Sequence, residues 1–290
     1  MIGPPPKNHH AFWRKCLSVQ SGALVIGALT TLSLTGCPNA QRSEPEVRAT
    51  EESSAAAVPN EGAPKQAPQP ASGNTTIKSF RSAKKHAMKI VEDRRETFYC
   101  ACTFSADKAV ELRSCGYAWR KNEKRAQRVE LEHIVPAEAF GKSFEVWREG
   151  HPKCVTKRGK PYKGRRCARK MSREFRLMEA DLHNLQPAIG EVNGDRSNYS
   201  MDMIPGESRR YGACDVEIEE RKIEPRPSIR GDIARIYLYM DKAYPGRGIV
   251  GKKRRRLMEA WDKSDPIDAW ERTRNARIET IQGNANPFIR

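Results

Sequence analysis

The chain has 290 residues, with 53 Lys and Arg against 36 Asp and Glu, which gives a net charge of +17 at pH 7. The N-terminal signal described below contributes three bases and the linker after it has two more acids than bases, so residues 76–290 hold +16. This charge excludes an electrically neutral scaffold and favours a polyanionic partner, nucleic acid or an anionic membrane surface. The length of this part fits one domain.

Residues 1–36 have the pattern of a secretory signal, in which basic residues precede a mostly apolar stretch, residues 17–34, and small residues close it. The ending "LTGC", residues 34–37, resembles the lipobox of bacterial lipoproteins, where the cysteine is lipidated and becomes the mature N-terminus. We therefore predict lipidation of Cys37. Plain secretion is the alternative, and polar residues within the stretch disfavour a transmembrane anchor.

Residues 38–75 are rich in Pro, Ala, Ser and Glu and hold almost no large apolar residue. Such a segment cannot bury enough surface to offset the entropy of ordering it. It predicts a disordered tether, which with the lipidated cysteine spans residues 37–75 and places the start of the folded domain at residue 76. The alternative is that these residues order against the domain.

Six cysteines belong to the domain: Cys100, Cys102, Cys115, Cys154, Cys167 and Cys214. In an exported chain six cysteines predict up to three disulfides, and the sequence leaves their pairing open. A zinc site that uses "CAC", residues 100–102, is the alternative. The oxidising compartment disfavours it.

The regular elements of the domain are predicted mainly as helices. Apolar residues at helical spacing predict a first helix whose buried stripe is Phe80, Ala83, Ala87, Ile90 and Val91. A basic loop then leads into a strand before Pro136. Residues 147–173 are interpreted as an exposed loop that a Cys154–Cys167 bridge would close. A short strand at "HNLQP" and a helix from about Ala188 follow, then helices at 230–244 and 253–265 and a final helix and loop. The fold class is α+β.

Glu132 and His133 stand together at the end of a half-apolar run, in "ELEHIVPA", residues 130–137. A second segment, "DLHNLQPAIGEVNGDRSN", residues 181–198, continues from a strand into a helix that carries Asn193. This order of elements is that of the ββα-metal core, or His-Me finger. Adjacent residues of a regular strand point to opposite faces, so Glu132 and His133 share a cleft only if the strand bends or ends there, which Pro136 permits. Taken alone, the pair is more typical of a surface salt-bridging Glu beside a packed His.

These segments, with "FYCAC", "CGYAWRKNEKRA" and the terminal "QGNANPF", resemble the bacterial endonuclease I family of exported, nonspecific nucleases over about residues 78–290. The resemblance implies that His133 is the general base and that Glu132 and Asn193 hold Mg²⁺ or another divalent cation. The residue types suit phosphodiester hydrolysis, because an imidazole takes a proton from water near neutral pH. Hard cations in turn prefer oxygen ligands.

The family also has an arginine that contacts the scissile phosphate, shortly before a cysteine between the two strands. The loop here is longer, and its nearest match is "KGRRC". Arg165 is the predicted residue and Arg166 the alternative, since a guanidinium stays charged and grips two phosphate oxygens. Glu179 is predicted either to support the metal site indirectly or to be a carboxylate on the surface of a helix.

Three other polar features are given structural roles. His183 is predicted to be a structural histidine and Asn184 a turn-stabilising residue. The run "KKRRR", residues 252–256, is interpreted as a phosphate-facing or solvated helix start.

The sequence thus predicts a monomeric, lipid-anchored, exported, metal-dependent endonuclease that cuts DNA, with RNA as a second candidate substrate. The resemblance implies 5′-phosphate and 3′-hydroxyl ends. Pro38, in place of the aspartate that marks inner-membrane retention, favours the outer membrane, in a periplasmic or surface-exposed position. One alternative is a catalytically silent nucleic-acid-binding envelope lipoprotein. Another is an envelope scaffold that binds anionic lipid or cell-wall polymer.

Overall fold

The computed structural model describes residues 73–206 and 208–290. The predicted signal, the lipidation site at Cys37 and almost all of the predicted tether lie outside the described residues. Within those residues the fold is α+β with helices predominating, as predicted. The α-helices are α1 Phe80–Ile90, α2 Glu123–Ala126, α3 Ala137–Gly141, α4 Glu145–Arg148, α5 Arg165–Met171, α6 Arg173–Glu179, α7 Gly190–Arg196, α8 Arg230–Ala243, α9 Lys252–Ser264 and α10 Ala269–Gln282.

The strands form two small sheets: β1 Val129–His133, β2 Leu185–Ile189, β3 Ser200–Met201, β4 Val216–Glu219 and β5 Lys222–Pro225. β1 and β2 pair antiparallel, and the second sheet has the order β3-β5-β4. The long α8 is the centre of the core, with most of its residues buried, and packs along α9. None of the helices in the described part of the chain is long and apolar enough to cross a bilayer.

The β1–β2 pair runs in register from Val129 opposite Ile189 to His133 opposite Leu185. α7 follows β2 at once, so the helix predicted to begin near Ala188 begins two residues later, at Gly190. The ladder with β1 keeps Ala188 and Ile189 extended. At Gly190 an added Cβ would lie 2.6 Å from the carbonyl oxygen of Arg125, so the glycine lets α7 start directly against this backbone.

The region predicted as an exposed loop, residues 147–173, is partly helical. The chain makes a short hairpin, in which Val155 bridges Pro161, and then forms α5 after Gly164, whose φ is 73°. The prediction of a loop was wrong for α5. This helix is short and mostly basic, and its two buried positions are too few to give a visible helical pattern. Cys167 and Ala168 are both fully buried there.

The domain also begins before residue 76. Asn74, which the sequence places in the tether, is buried. Its backbone N–H donates to the Tyr244 hydroxyl at 2.8 Å, and its side-chain amide donates to the Leu177 carbonyl at 2.9 Å. The composition of the linker does not predict this contact, because the contact depends on a single residue, Asn74, that bonds groups distant in sequence.

Three disulfides join the six cysteines of the domain: Cys100–Cys214, Cys102–Cys115 and Cys154–Cys167. The prediction of up to three disulfides, and of the Cys154–Cys167 bridge in particular, is confirmed. The zinc alternative at "CAC" is excluded, because Cys100 and Cys102 are oxidised with different partners and offer no thiolate.

Loss of the Cys100–Cys214 bridge is expected to lower the free energy of unfolding by about 2–5 kcal/mol, because it closes the longest of the three loops. Its sequence separation is 114 residues, against 13 for Cys154–Cys167. The measurement is urea unfolding, without reductant, of Cys100→Ala/Cys214→Ala beside Cys154→Ala/Cys167→Ala. Loop entropy predicts that the second variant loses about 2 kcal/mol less. An equal or larger loss in the second variant would contradict this.

Candidate active site

One pocket of about 540 Å³ lies beside the end of β1 and the second half of α7. The four residues to which the sequence gave chemical roles all line it: Glu132, His133, Arg165 and Asn193. Glu132 and His133 are the last two residues of β1, Asn193 lies in the middle of α7, and Arg165 is the first residue of α5. The strand ends at His133, which meets the condition for two adjacent side chains to face one cleft.

The His133 ring is fixed in one orientation. Its Nε2 lies 2.9 Å from the backbone carbonyl oxygen of Glu179, at the end of α6, and the ring packs against Phe80 of α1 with 4.8 Å between centroids. A carbonyl oxygen only accepts, so Nε2 carries the hydrogen and Nδ1 keeps the free lone pair. Burial, with the nearby positive charge of Arg165, lowers the pKa of His133 to about 4. The imidazole is therefore neutral at neutral pH.

Glu132 is held by a fully buried arginine, Arg196 of α7. Arg196 Nη1 donates to Glu132 Oε1 at 2.5 Å and to the His133 carbonyl at 2.7 Å, and Nη2 donates to the Ile134 carbonyl at 2.6 Å. The Tyr99 hydroxyl also donates to Oε1, at 3.3 Å. No hydrogen bond from the described residues reaches Oε2, so this oxygen is available to a ligand. Burial raises the pKa of Glu132, and the charge of Arg196 opposes that rise.

Asn193 is oriented by Glu130, two residues before Glu132 on β1. Asn193 Nδ2 donates to Glu130 Oε2 at 2.7 Å, so its Oδ1 turns away from this carboxylate. Arg125 and Arg128 also bind Glu130, at 2.7 and 2.8 Å. Burial opposes ionisation of Glu130, but these hydrogen bonds lower its pKa below the usual value. Sequence reasoning missed Glu130, although its place on the same strand face as Glu132 was a usable signal.

Arg165 reaches the pocket while it is anchored to Glu179. Arg165 Nε donates to Glu179 Oε1 at 2.5 Å, and Arg169 binds both oxygens of this carboxylate. Arg165 Nη2 is buried with no hydrogen-bond partner among the described residues. Arg166 instead stacks on Tyr162, 4.1 Å from the ring centroid, and is not among the residues that line the pocket. The geometry therefore favours Arg165 over Arg166 for contact with a ligand in the pocket.

Glu179 links the base to the arginine. Its side chain is fully buried, so the interpretation as a helix-surface carboxylate was wrong. Burial opposes its ionisation, yet the hydrogen bonds and charges of Arg169 and Arg165 lower its pKa. Its backbone carbonyl fixes His133 and its carboxylate fixes Arg165, so one residue positions two of the groups in the pocket.

The remaining polar residues lie outside the pocket. His183 donates from Nε2 to the Asn284 carbonyl at 3.0 Å and packs against Tyr239. The Asn184 side chain bonds both the N–H and the carbonyl of Val135, which ties the turn after β1 to β2. Residues 252–256 form the first turn of α9 and do not line the pocket.

The donor set fits a hydrated divalent cation. Among the described residues no group of three or more His, Cys, Asp or Glu side chains forms a metal cluster. Glu132 Oε2 and Asn193 Oδ1 are two oxygen donors in one pocket, and Mg²⁺ commonly takes one or two protein oxygens, with water and substrate phosphate as the other ligands. The available donors are oxygens, which suit Mg²⁺ and not a thiolate-bound ion.

A two-stranded antiparallel pair and a helix that bring an imidazole, a carboxylate, an amide and an arginine into one pocket match the sequence resemblance. The model of the endonuclease I family matches residues 71–290, and the chain belongs to this family.

Three relatives illustrate the match. A periplasmic deoxyribonuclease of Aeromonas hydrophila is 44% identical over 217 residues, which cover 73% of this chain and 85% of the relative. Endonuclease-1 of Buchnera aphidicola is 41% identical over 220 residues, 74% of this chain and 81% of the relative. An extracellular ribonuclease of Bacillus subtilis is 36% identical over 126 residues, 38% of this chain and 43% of the relative.

Proposed function

We propose that the protein is a divalent-metal-dependent endonuclease that hydrolyses phosphodiester bonds of DNA in the pocket between β1, α5 and α7. The observation that carries this proposal is the buried, neutral His133, whose Nδ1 lone pair is free while oxygen donors and a buried cationic N–H line the same pocket. Membership of the endonuclease I family supports it, as do relatives named as nucleases and deoxyribonucleases.

In this proposal His133 takes the proton of the attacking water on Nδ1. The hydrogen bond from Nε2 to the Glu179 carbonyl keeps the ring in position and stabilises the imidazolium that forms. Arg165 donates from Nη2 to the scissile phosphate, where negative charge grows as the water adds. Glu132 and Asn193 would hold the cation, which supplies charge stabilisation at the phosphate and at the departing 3′ oxygen. The products carry 5′-phosphate ends.

Glu130 is expected to set the metal requirement through Asn193. In Glu130→Ala the amide loses its anchor and rotates, so the Mg²⁺ concentration for half-maximal nicking should rise about 10–100-fold, the usual cost of removing a group that orients a metal ligand. The measurement is a Mg²⁺ titration of plasmid nicking. Glu138→Ala is the control, because Glu138 lines the same pocket but pairs with Lys142. An unchanged Mg²⁺ requirement in Glu130→Ala would contradict the role of Glu130.

The substrate is proposed to be DNA with little sequence preference, because the groups in the pocket suit phosphate and sugar, which carry no direct sequence information. RNA is the second candidate substrate. The ribonuclease relative supports it over a smaller part of the chain.

The protein is further proposed to be exported and to act as a monomer in the cell envelope, anchored by a lipid on Cys37, with the outer membrane favoured over the inner. The three disulfides support an oxidising compartment. The relatives named as periplasmic and extracellular support export.

Plasmid nicking by the full chain, purified in detergent, tests the proposed function. With Mg²⁺ the protein should convert supercoiled plasmid to nicked and linear forms, and the new ends should accept no phosphate from a kinase until a phosphatase has removed the 5′-phosphate. EDTA should stop cutting. If the protein binds plasmid but cuts it with none of the divalent cations tested, the enzyme assignment is overturned in favour of a silent nucleic-acid-binding lipoprotein.

A further inference from the structure

The long segment that connects β1 to β2 contains a short hairpin, which carries many positive charges and lies outside the pocket. We define the basic hairpin as residues 153–163. No acidic residue occurs from residue 150 to residue 173. The basic side chains of the hairpin are all exposed: Lys153, Lys157, Arg158, Lys160 and Lys163. None of them forms an ion pair with a carboxylate of the described residues, whereas Arg165 and Arg169, just beyond it, are both paired with Glu179.

The basic hairpin is held in a defined conformation. Val155 bridges Pro161, the Thr156 N–H donates to the Lys160 carbonyl at 2.8 Å, and the Tyr162 N–H donates to the Cys154 carbonyl at 2.8 Å. The disulfide of Cys154 ties the base of the hairpin to α5. Unpaired charges on an ordered element repel one another, and an anion that binds several of them removes this repulsion.

The hairpin starts at the edge of the pocket. The Gly164 N–H donates to the Trp147 carbonyl at 3.0 Å, and Trp147 and Arg165 both line the pocket. At about 3.3 Å per residue, the arm from Tyr162 to the tip at Arg158 spans roughly 13 Å. A strand of duplex DNA has one phosphate about every 3.4 Å along its axis, so the arm covers about four phosphates beyond the pocket.

We propose that the basic hairpin is a second phosphate-binding surface, which binds the nucleic-acid backbone several nucleotides from the scissile bond. This inference rests on the proposed function, since it places the remainder of a substrate whose scissile phosphate is in the pocket. Its contribution is affinity for long substrates and a steep dependence on salt. An anionic lipid surface is the less suitable ligand, because the tip, "TKRGK", has no aromatic or aliphatic side chain to insert into a bilayer.

The test compares two triple variants of the full chain in detergent. Lys157→Gln/Arg158→Gln/Lys160→Gln removes three charges from the hairpin, and Lys252→Gln/Lys253→Gln/Arg256→Gln removes three exposed charges from the start of α9. The first readout is the Kd for a duplex of about 30 base pairs in EDTA at several salt concentrations. The second is the ratio of kcat/KM for this duplex to that for bis(4-nitrophenyl) phosphate, which is too small to reach the hairpin.

The hairpin variant should raise the Kd about tenfold near 0.1 M salt and lower the kcat/KM ratio about tenfold. It should also reduce the magnitude of the slope of log K against log salt by up to about 3, since each phosphate contact contributes about 0.9. The α9 variant should change the Kd and the kcat/KM ratio by less than about threefold. Equal effects of the two variants would overturn the inference, because net charge alone would then explain binding. An unchanged duplex Kd in the hairpin variant would overturn it as well. If wild type hydrolyses neither substrate, the proposed function fails, and the duplex Kd values still decide the role of the hairpin.

Discussion

Replacing His133 by alanine is expected to lower the rate of plasmid nicking by about 10²–10⁴-fold, the usual contribution of a general base. No other imidazole in the described residues lines the pocket, and burial with the charge of Arg165 holds the pKa of His133 near 4, so the wild-type ring is unprotonated at neutral pH. The affinity for DNA should change little, because the proposed phosphate contacts come from Arg165 and the basic hairpin.

The buried position of His133 requires a control for folding. The ring packs against Phe80, so its removal leaves a gap that costs some stability. Circular dichroism melting of His133→Ala should therefore accompany the nicking assay. His86→Ala, a change on the partly buried side of α1 away from the pocket, is the matched control and should keep wild-type activity. If His133→Ala remains folded and cuts DNA within about tenfold of wild type, His133 is not the base.

Replacing Glu132 is expected to have two separable effects. Glu132→Ala removes the carboxylate that neutralises the fully buried Arg196, and an unpaired buried charge typically costs about 3–5 kcal/mol. Glu132→Gln keeps an oxygen that accepts from Arg196, so its loss of stability should be smaller, about 1–3 kcal/mol. Both variants lose the anionic oxygen proposed to hold the cation, so both should lose nearly all activity at Mg²⁺ concentrations that saturate wild type.

Urea unfolding and a Mg²⁺ titration of nicking separate these effects. Glu132→Gln at high Mg²⁺ is the informative case, because the fold is largely kept while the charge of the ligand is removed. A Glu132→Gln protein that nicks plasmid with the wild-type Mg²⁺ requirement would contradict the assignment of Glu132 as a metal ligand. The carboxylate would then have only a structural role, through its contacts with Arg196 and Tyr99.

The sequence predicted the parts of the site that depend on local pattern. The alternation of "VELEH" predicted β1, and four of the five residues of the apolar stripe of α1 are buried in the structure. The fifth, Phe80, is only partly buried because it lines the pocket over His133. Motif resemblance brought the two distant segments together and selected Glu132, His133, Asn193 and Arg165, which the fold places around one cavity.

The parts that could not be predicted depend on contacts between distant residues. Arg196 follows Asn193 by three residues and is typical of a solvated helix position, yet it is fully buried because two backbone carbonyls and a carboxylate meet it there. For the same reason, the sequence did not predict that Glu179 positions both His133 and Arg165. Its backbone carbonyl, which no side-chain pattern encodes, fixes His133. Asn74 joins the domain through contacts more than 100 residues away in sequence.

The side chains with proposed roles are all held in place by other groups of the protein. Three of them are each fixed by a different contact: His133 by a hydrogen bond to the Glu179 carbonyl, Glu132 by a buried ion pair with Arg196, and Asn193 by a hydrogen bond to the Glu130 carboxylate. Such preorganisation lets the groups stabilise charge that develops in the transition state without moving when it appears. It also explains why the pocket is lined by so many charged residues while the domain remains folded.

The most direct test of the account is the position of the metal in a crystal of the protein grown with Mn²⁺, which replaces Mg²⁺ and scatters anomalously. One anomalous peak is expected in the pocket, from an ion bound by the side-chain oxygens of Glu132 and Asn193 on the side of the cavity that holds His133 and Arg165. The peak should be lost in Glu132→Gln. A peak elsewhere in the domain, with the pocket free of metal at saturating Mn²⁺, would contradict the account.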